Sequence, residues 1–162
     1  MKLGKYSFGV GDRFGHQGKA QLKALLKARN PGIELVPVWN KSFREHQIIG
    51  TQPGAVREEA DKAIAALGYT GDYFVDADHI SLKNVDGFID ASDFFTLDVA
   101  DFIGEAADSA AVDAFVEAMA KYAGEINLPG VDQALIVSED QIRGIAVKYL
   151  FAVQEAGRIY RH

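Results

Sequence analysis

Apolar and polar positions alternate in KYSFGVG, with Tyr6, Phe8 and Val10 on one side, and this period of two predicts a first strand. The following GHQGKAQLKALLKARNPG changes to a helical period, with Leu22, Leu25 and Leu26 on one face and Pro31 and Gly32 as the stop. IELVPVWN predicts a second strand. The helix after it starts near Thr51 and Pro53, spaces Val56, Ala60, Ile64 and Leu67 along one face, and ends at Gly68. YFVDA is the third predicted strand; Leu82, Val85, Phe88 and Ile89 then suggest a short helix, and DFFTLDV supplies a fourth strand. Beyond it the pattern shifts. ADSAAVDAFVEAMAKYAG predicts a helix with Val112, Phe115, Val116 and Met119 inward, and a loop INLPGVDQALIV follows, so that residues 106–137 are expected as a helical insertion. Ser138 and Gln141 are placed as a capping box for the final helix, whose apolar stripe is Ile142, Ile145, Tyr149, Leu150 and Val153 before Gly157.

Four strands, each followed by a helix, imply parallel pairing with right-handed crossovers and an α/β class. Such a chain fits either a small doubly wound sheet or the first half of a TIM-like eight-stranded barrel, and periodicity leaves both open. At 162 residues and 48% hydrophobic content, with no linker or repeat, the chain is expected to be a single α/β domain or half-barrel fragment over 1–162. A net charge of −6 gathers neither nucleic acid nor an anionic membrane surface. The absence of cysteine excludes disulfides, thiolate zinc sites and a cysteine nucleophile, and it suits the cytoplasm. MKLGKYSFGVGDR has no apolar core of a leader, and no window approaches the roughly 18 apolar residues of a membrane span.

In either architecture, active sites form where the loops leave the C-terminal strand ends. Those positions hold Asp12, Arg13 and His16 after strand one; Asn40, Lys41, Arg44, Glu45 and His46 after strand two; Asp76, Asp78 and His79 after strand three; and Asp98 and Asp101 after strand four. Each alone is an ordinary solvated loop residue, and the third set can be a plain Asx-turn; the convergence of all four on one edge favours a site. The glycine-rich GVGDRFGHQG loop matches neither GxGxxG nor the P-loop, so its glycines are first turn residues. Arg13 and Arg44 suit a carboxylate clamp, although Arg13 can equally pair with Asp12 or Glu45. His79 beside Asp78 offers an imidazole ligand with a neighbouring base for a divalent metal, though no HxH or HExxH motif supports it. Trp39, Phe43 and Phe95 could line a sugar face or simply fill the core.

The blocks SFGVGDRFGHQGKAQLKAL, PVWNKSFREHQIIGTQP and YFVDADHISLKNVDGFIDASDFFTLDVADFIG, with the closing AGRIYRH, resemble the N-terminal part of the tagaturonate epimerases. GDR and DADH carry most of the specificity. The resemblance implies a barrel-like, metal-dependent enzyme of about twice this length or more, epimerising D-tagaturonate to D-fructuronate. It implies Asp78 as proton acceptor and His79 as a ligand of a divalent metal of unspecified identity. The family's proton donor and further ligands are expected beyond this chain, which leaves the 162-residue chain itself expected to be inactive.

The chemistry suits those residues. C4 is β to both the C2 ketone and the carboxylate, so enolisation cannot invert it, whereas retro-aldol cleavage of C3–C4 can. Asp78 would take the C4 hydroxyl proton, a metal on His79 would act as Lewis acid, and Asp12, Arg13, Lys41, Arg44 and Asp98 are the candidates for holding a keto-uronate substrate. Two other readings remain: a different metal-dependent sugar isomerase or aldolase on the same frame, and a non-catalytic α/β module that binds a metal or a partner. A half-barrel also leaves open sheet edges, from which self-association is expected.

Overall fold

The computed structural model describes residues 3–29 and 32–162, and Pro31, expected as a helix stop, lies outside them. Contacts between Cα atoms divide the chain into two compact units, the first ending at Asp98 and the second spanning Val99–His162.

The first unit is built on β1 (Ser7–Gly11), β2 (Val36–Ser42), β3 (Phe74–Ile80) and β4 (Phe94–Leu97), with helices α1 (Gly18–Ala28), α2 (Phe43–Ile49) and α3 (Gly54–Leu67). The four strands pair in parallel in the order β1-β2-β3-β4. Strand order matching chain order is the winding of a barrel segment; a doubly wound sheet reverses direction at an internal strand. The core lies between this sheet and α1 and α3, where Leu22, Trp39, Val56, Ala60, Ala63 and Val75 pack together. All six are at most 8% exposed.

The sheet's floor is fixed by Asp93. Its carboxylate accepts from the Arg57 guanidinium and from the Val75 backbone N–H at 2.7 Å, while Arg57 Nε donates to the Ala91 carbonyl at 3.2 Å. Asp93→Ala would orphan the Val75 donor and a half-buried cation together. We expect it to lower stability by about 2 kcal/mol, measured by urea unfolding. A change within a few tenths would remove Asp93 from the list of supports.

Three elements differ from the sequence expectation. A seven-residue helix, α2, follows β2 directly and carries a complete capping box, Glu45 N donating to Ser42 Oγ at 3.3 Å and Ser42 N donating to Glu45 Oε2 at 3.1 Å. The expected third helix is only a 3₁₀ turn, Val85–Gly87, entered through Asn84, whose Oδ1 accepts from Ser81 N at 2.8 Å. β3 runs past YFVDA to Ile80, so Asp78 and His79 lie within it.

The second unit contains α4 (Ser109–Met119), β5 (Gly124–Ile126), β6 (Leu135–Val137) and α5 (Glu139–Arg161). Within the segment expected as a helical insertion, the part expected as loop carries an antiparallel pair, β5 with β6. α4 is capped by Asp108, which accepts from Ala110 N and Ala111 N, and it buries Val112. The Ser138–Gln141 capping box opens α5 as expected, but the helix continues through Gly157 to Arg161. Its buried line is Ile142, Ala146, Ala152, Glu155 and Ile159, while Ile145 and Val153 are exposed. No helix among the described residues is long and apolar enough to cross a membrane.

Candidate active site

The β1–α1 loop is organised by Asp12. Its carboxylate accepts from the backbone N–H groups of Phe14 at 3.0 Å, His16 at 2.7 Å and Gln17 at 2.7 Å. Burial alone would raise this carboxyl, but the backbone donors of Gln17, His16, Phe14 and Gly15 hold it below its ordinary value. Asp12 is therefore engaged by its own loop. Gly15 takes φ +68, which favours glycine, and a Cβ there would stand 2.9 Å from the mobile end of Lys41, Nζ. Arg13 pairs with Glu45, Nε to Oε1 at 3.6 Å, with its own side chain 61% exposed.

Alternation sorts the strand-end residues by face. Trp39 registers with Val75 and Lys41 with Ala77, and these face the α1–α3 layer. Lys41 is 3% exposed. Burial lowers its affinity for a proton, while the Asp12, Glu45 and Glu59 charges oppose that shift. Asn40 registers with Asp76 and Ser42 with Asp78, on the other face. Lys41 and the Asp76–Asp78 pair thus occupy opposite sides of the sheet.

Asp76 is 7% exposed, and Thr96 Oγ1 on β4 lies 3.0 and 2.9 Å from its two carboxylate oxygens. Burial pushes the Asp76 carboxyl up, Thr96 opposes this, and the Asp78 charge adds to the rise. Thr96 was not among the residues singled out by sequence. Its signal is parity alone, because Phe95 and Leu97 on either side of it face the other way.

Above Asp76 the ladder breaks. Ala77 pairs with Phe95 and Ile80 with Leu97, so β3 holds one residue more than β4 across this interval. That is a β-bulge, a device that re-aims side chains at sheet ends and active sites. His79 sits in it at φ +58 and is the one non-glycine residue with positive φ among the described residues. A histidine in that region stores strain of about 1 kcal/mol or more, retained where the surroundings over-determine it. Asn84 Nδ2 donates to the His79 carbonyl at 3.3 Å and ties down the bulge exit. The His79 imidazole Nδ1 meets Asp78 Oδ1 at 2.9 Å, with 64% of the His79 side chain exposed. A carboxylate on one ring nitrogen fixes the tautomer and leaves Nε2 as the outward ligand atom. The donor set suits one imidazole ligand. Among the described residues no group of three or more His, Cys, Asp or Glu converges on a metal position.

The other strand-end residues play lesser parts. Arg44 is exposed on α2, and Asp98, directly after β4, donates its backbone N–H to the Ile80 carbonyl at 2.9 Å. His46 is 2% exposed, with Nδ1 2.9 Å from Thr51 Oγ1 and its ring edge-on to Phe88 at 5.8 Å between centroids. Asp101 belongs to the second unit. Of the aromatics, Trp39 is core, and Phe43 is 40% exposed on α2.

A family model described as tagaturonate epimerase, UxaE, matches residues 1–161. The native crystal structure of fructuronate-tagaturonate epimerase UxaE from Cohnella laeviribosi superposes with a TM-score of 0.72 at 24% identity, over 96% of this chain and 34% of that one. Its two-glycerol complex gives 0.75 at 21% identity, over 99% of this chain and 35% of that one. No curated protein matches the chain. The chain therefore spans about a third of the length of the solved structures it resembles. With the family model matched along residues 1–161, the chain belongs to the tagaturonate epimerase family.

Proposed function

We propose that this chain carries part of the active site of an isomerase that interconverts D-tagaturonate and D-fructuronate at C4 by retro-aldol and aldol steps. The observation that carries this reading is the bulge at Asp78–His79, where a strained, exposed histidine is held by its neighbouring carboxylate at a C-terminal strand end. Asp78 Oδ1 is engaged by His79, which leaves Oδ2 to accept the C4 hydroxyl proton. As that proton leaves, the C3–C4 bond breaks and its electron pair passes into the C2–C3 enediolate. The new C4 aldehyde rotates, the enediolate attacks its other face, and the C4 alkoxide takes up a proton to close the balance. His79 Nε2 would be one ligand of a divalent cation, which when bound supplies Lewis-acid stabilisation at the substrate's ketone oxygen. The exposed guanidinium groups of Arg13 and Arg44 suit the substrate carboxylate, whereas buried Lys41 serves the loop from the opposite face.

The reading extends to a cytoplasmic enzyme on a barrel frame, with the 162-residue chain inactive alone and prone to self-association. Support for association comes from apolar surface: Phe8 on the edge strand β1 is 54% exposed, and Val153 on α5 is 63% exposed.

His79→Gly tests the bulge directly. Glycine accepts φ +58 without strain, so in a polypeptide of the full family length the variant is expected to gain about 1 kcal/mol of stability while losing bound divalent metal. Stability measured by denaturant and metal measured by atomic absorption should move in opposite directions. Unchanged metal content would make the histidine a loop residue and remove the ligand assignment.

A further inference from the structure

Beneath the Gly15 turn, on the helix-covered side of the sheet, lies a small cavity lined in part by Asp12, Gln21, Trp39, Lys41 and Glu59. The centre of a water molecule can move over about 10 Å³ there, which is room for one. Two of the lining residues carry buried polar atoms with no hydrogen-bond partner among the described residues: Trp39 Nε1 and Gln21 Oε1. The first can only donate and the second only accept. The orientation of Gln21 is fixed, because its Nε2 donates to the Gly11 carbonyl at 3.0 Å. Lys41, 3% exposed as a residue, also lines the cavity, and no carboxylate lies within ion-pair distance of its ammonium among the described residues. A buried donor and a buried acceptor beside one void are each costly when left dry, and Lys41 brings a cation to the same lining.

We propose that one ordered water binds in this cavity, accepting hydrogen bonds from Trp39 Nε1 and Lys41 Nζ and donating one to Gln21 Oε1. Its second hydrogen is available to the Asp12 and Glu59 carboxylates. The water completes the coordination of the ammonium on which the Gly15 turn rests, and so supports the loop that presents Arg13. This site is independent of the epimerase reading.

Trp39 is the single tryptophan, so its indole N–H gives one resonance in a ¹⁵N-labelled sample of the 162-residue chain. A cross peak from that N–H to the water frequency, with the sign of a dipolar rather than an exchange contact, is the expected result. Gln21→Met, which removes the acceptor, should abolish it. An intact fold with no water cross peak in the parent chain would overturn the site. A cross peak of unchanged strength in the variant would overturn the role of Gln21 as the water's anchor.

Discussion

Replacing Asp78 by asparagine is expected to lower turnover of D-tagaturonate by about two orders of magnitude or more, the usual scale for loss of the general base proposed above. The measurement belongs to a polypeptide of the full family length carrying this chain. Asparagine keeps the shape of the side chain and can still hydrogen-bond His79 Nδ1, so the bulge and its imidazole stay in place. What disappears is the oxygen able to take a proton. Circular dichroism and thermal unfolding should match the parent, because Asp78 is at the sheet end with 21% of its side chain exposed. Near-normal turnover with that intact fold would move the base elsewhere, Asp76 being the nearest buried carboxyl on the same face.

Acid should weaken the fold through His46. Burial, reinforced by the Lys41 charge and opposed by Glu45, lowers its proton affinity from 6.5 to about 4. The native state therefore holds a neutral imidazole while the unfolded chain takes up a proton below pH 6.5, so stability falls as pH drops from 6.5 toward 4. Over the whole window the loss is about 3 kcal/mol. Denaturant unfolding at a series of pH values measures the slope, and His46→Gln should flatten it while preserving a polar partner for Thr51. An unchanged slope in the variant would assign the acid sensitivity to other groups.

Much of the frame is written in periodicity. Strands β1–β4 and the helices α1, α3, α4 and α5 follow from alternation and from apolar spacing, and the Ser138–Gln141 box marks where α5 begins. The misses are equally physical. α2 has too few turns to show a stripe, though its Ser42–Glu45 capping box was present in the sequence. β5 and β6 are three residues each, too short for alternation to register. Position along the chain led to the strand-end set, but parity splits it: Lys41 follows Trp39 by two residues and must share its buried face, away from Asp76 and Asp78. The reactive look of DADH was legible as composition, whereas the left-handed His79 was not, because a bulge at a non-glycine residue leaves no local sequence mark.

The most direct test of the account is the fate of hydrogen at C4 when D-tagaturonate is turned over in D₂O by the full-length protein with a divalent metal. Retro-aldol chemistry carries the original C4 hydrogen through the aldehyde. NMR of the D-fructuronate formed should therefore show protium at C4, with conversion strongly slowed in Asp78→Asn. Deuterium at C4, or no conversion at all by the parent protein, would contradict it.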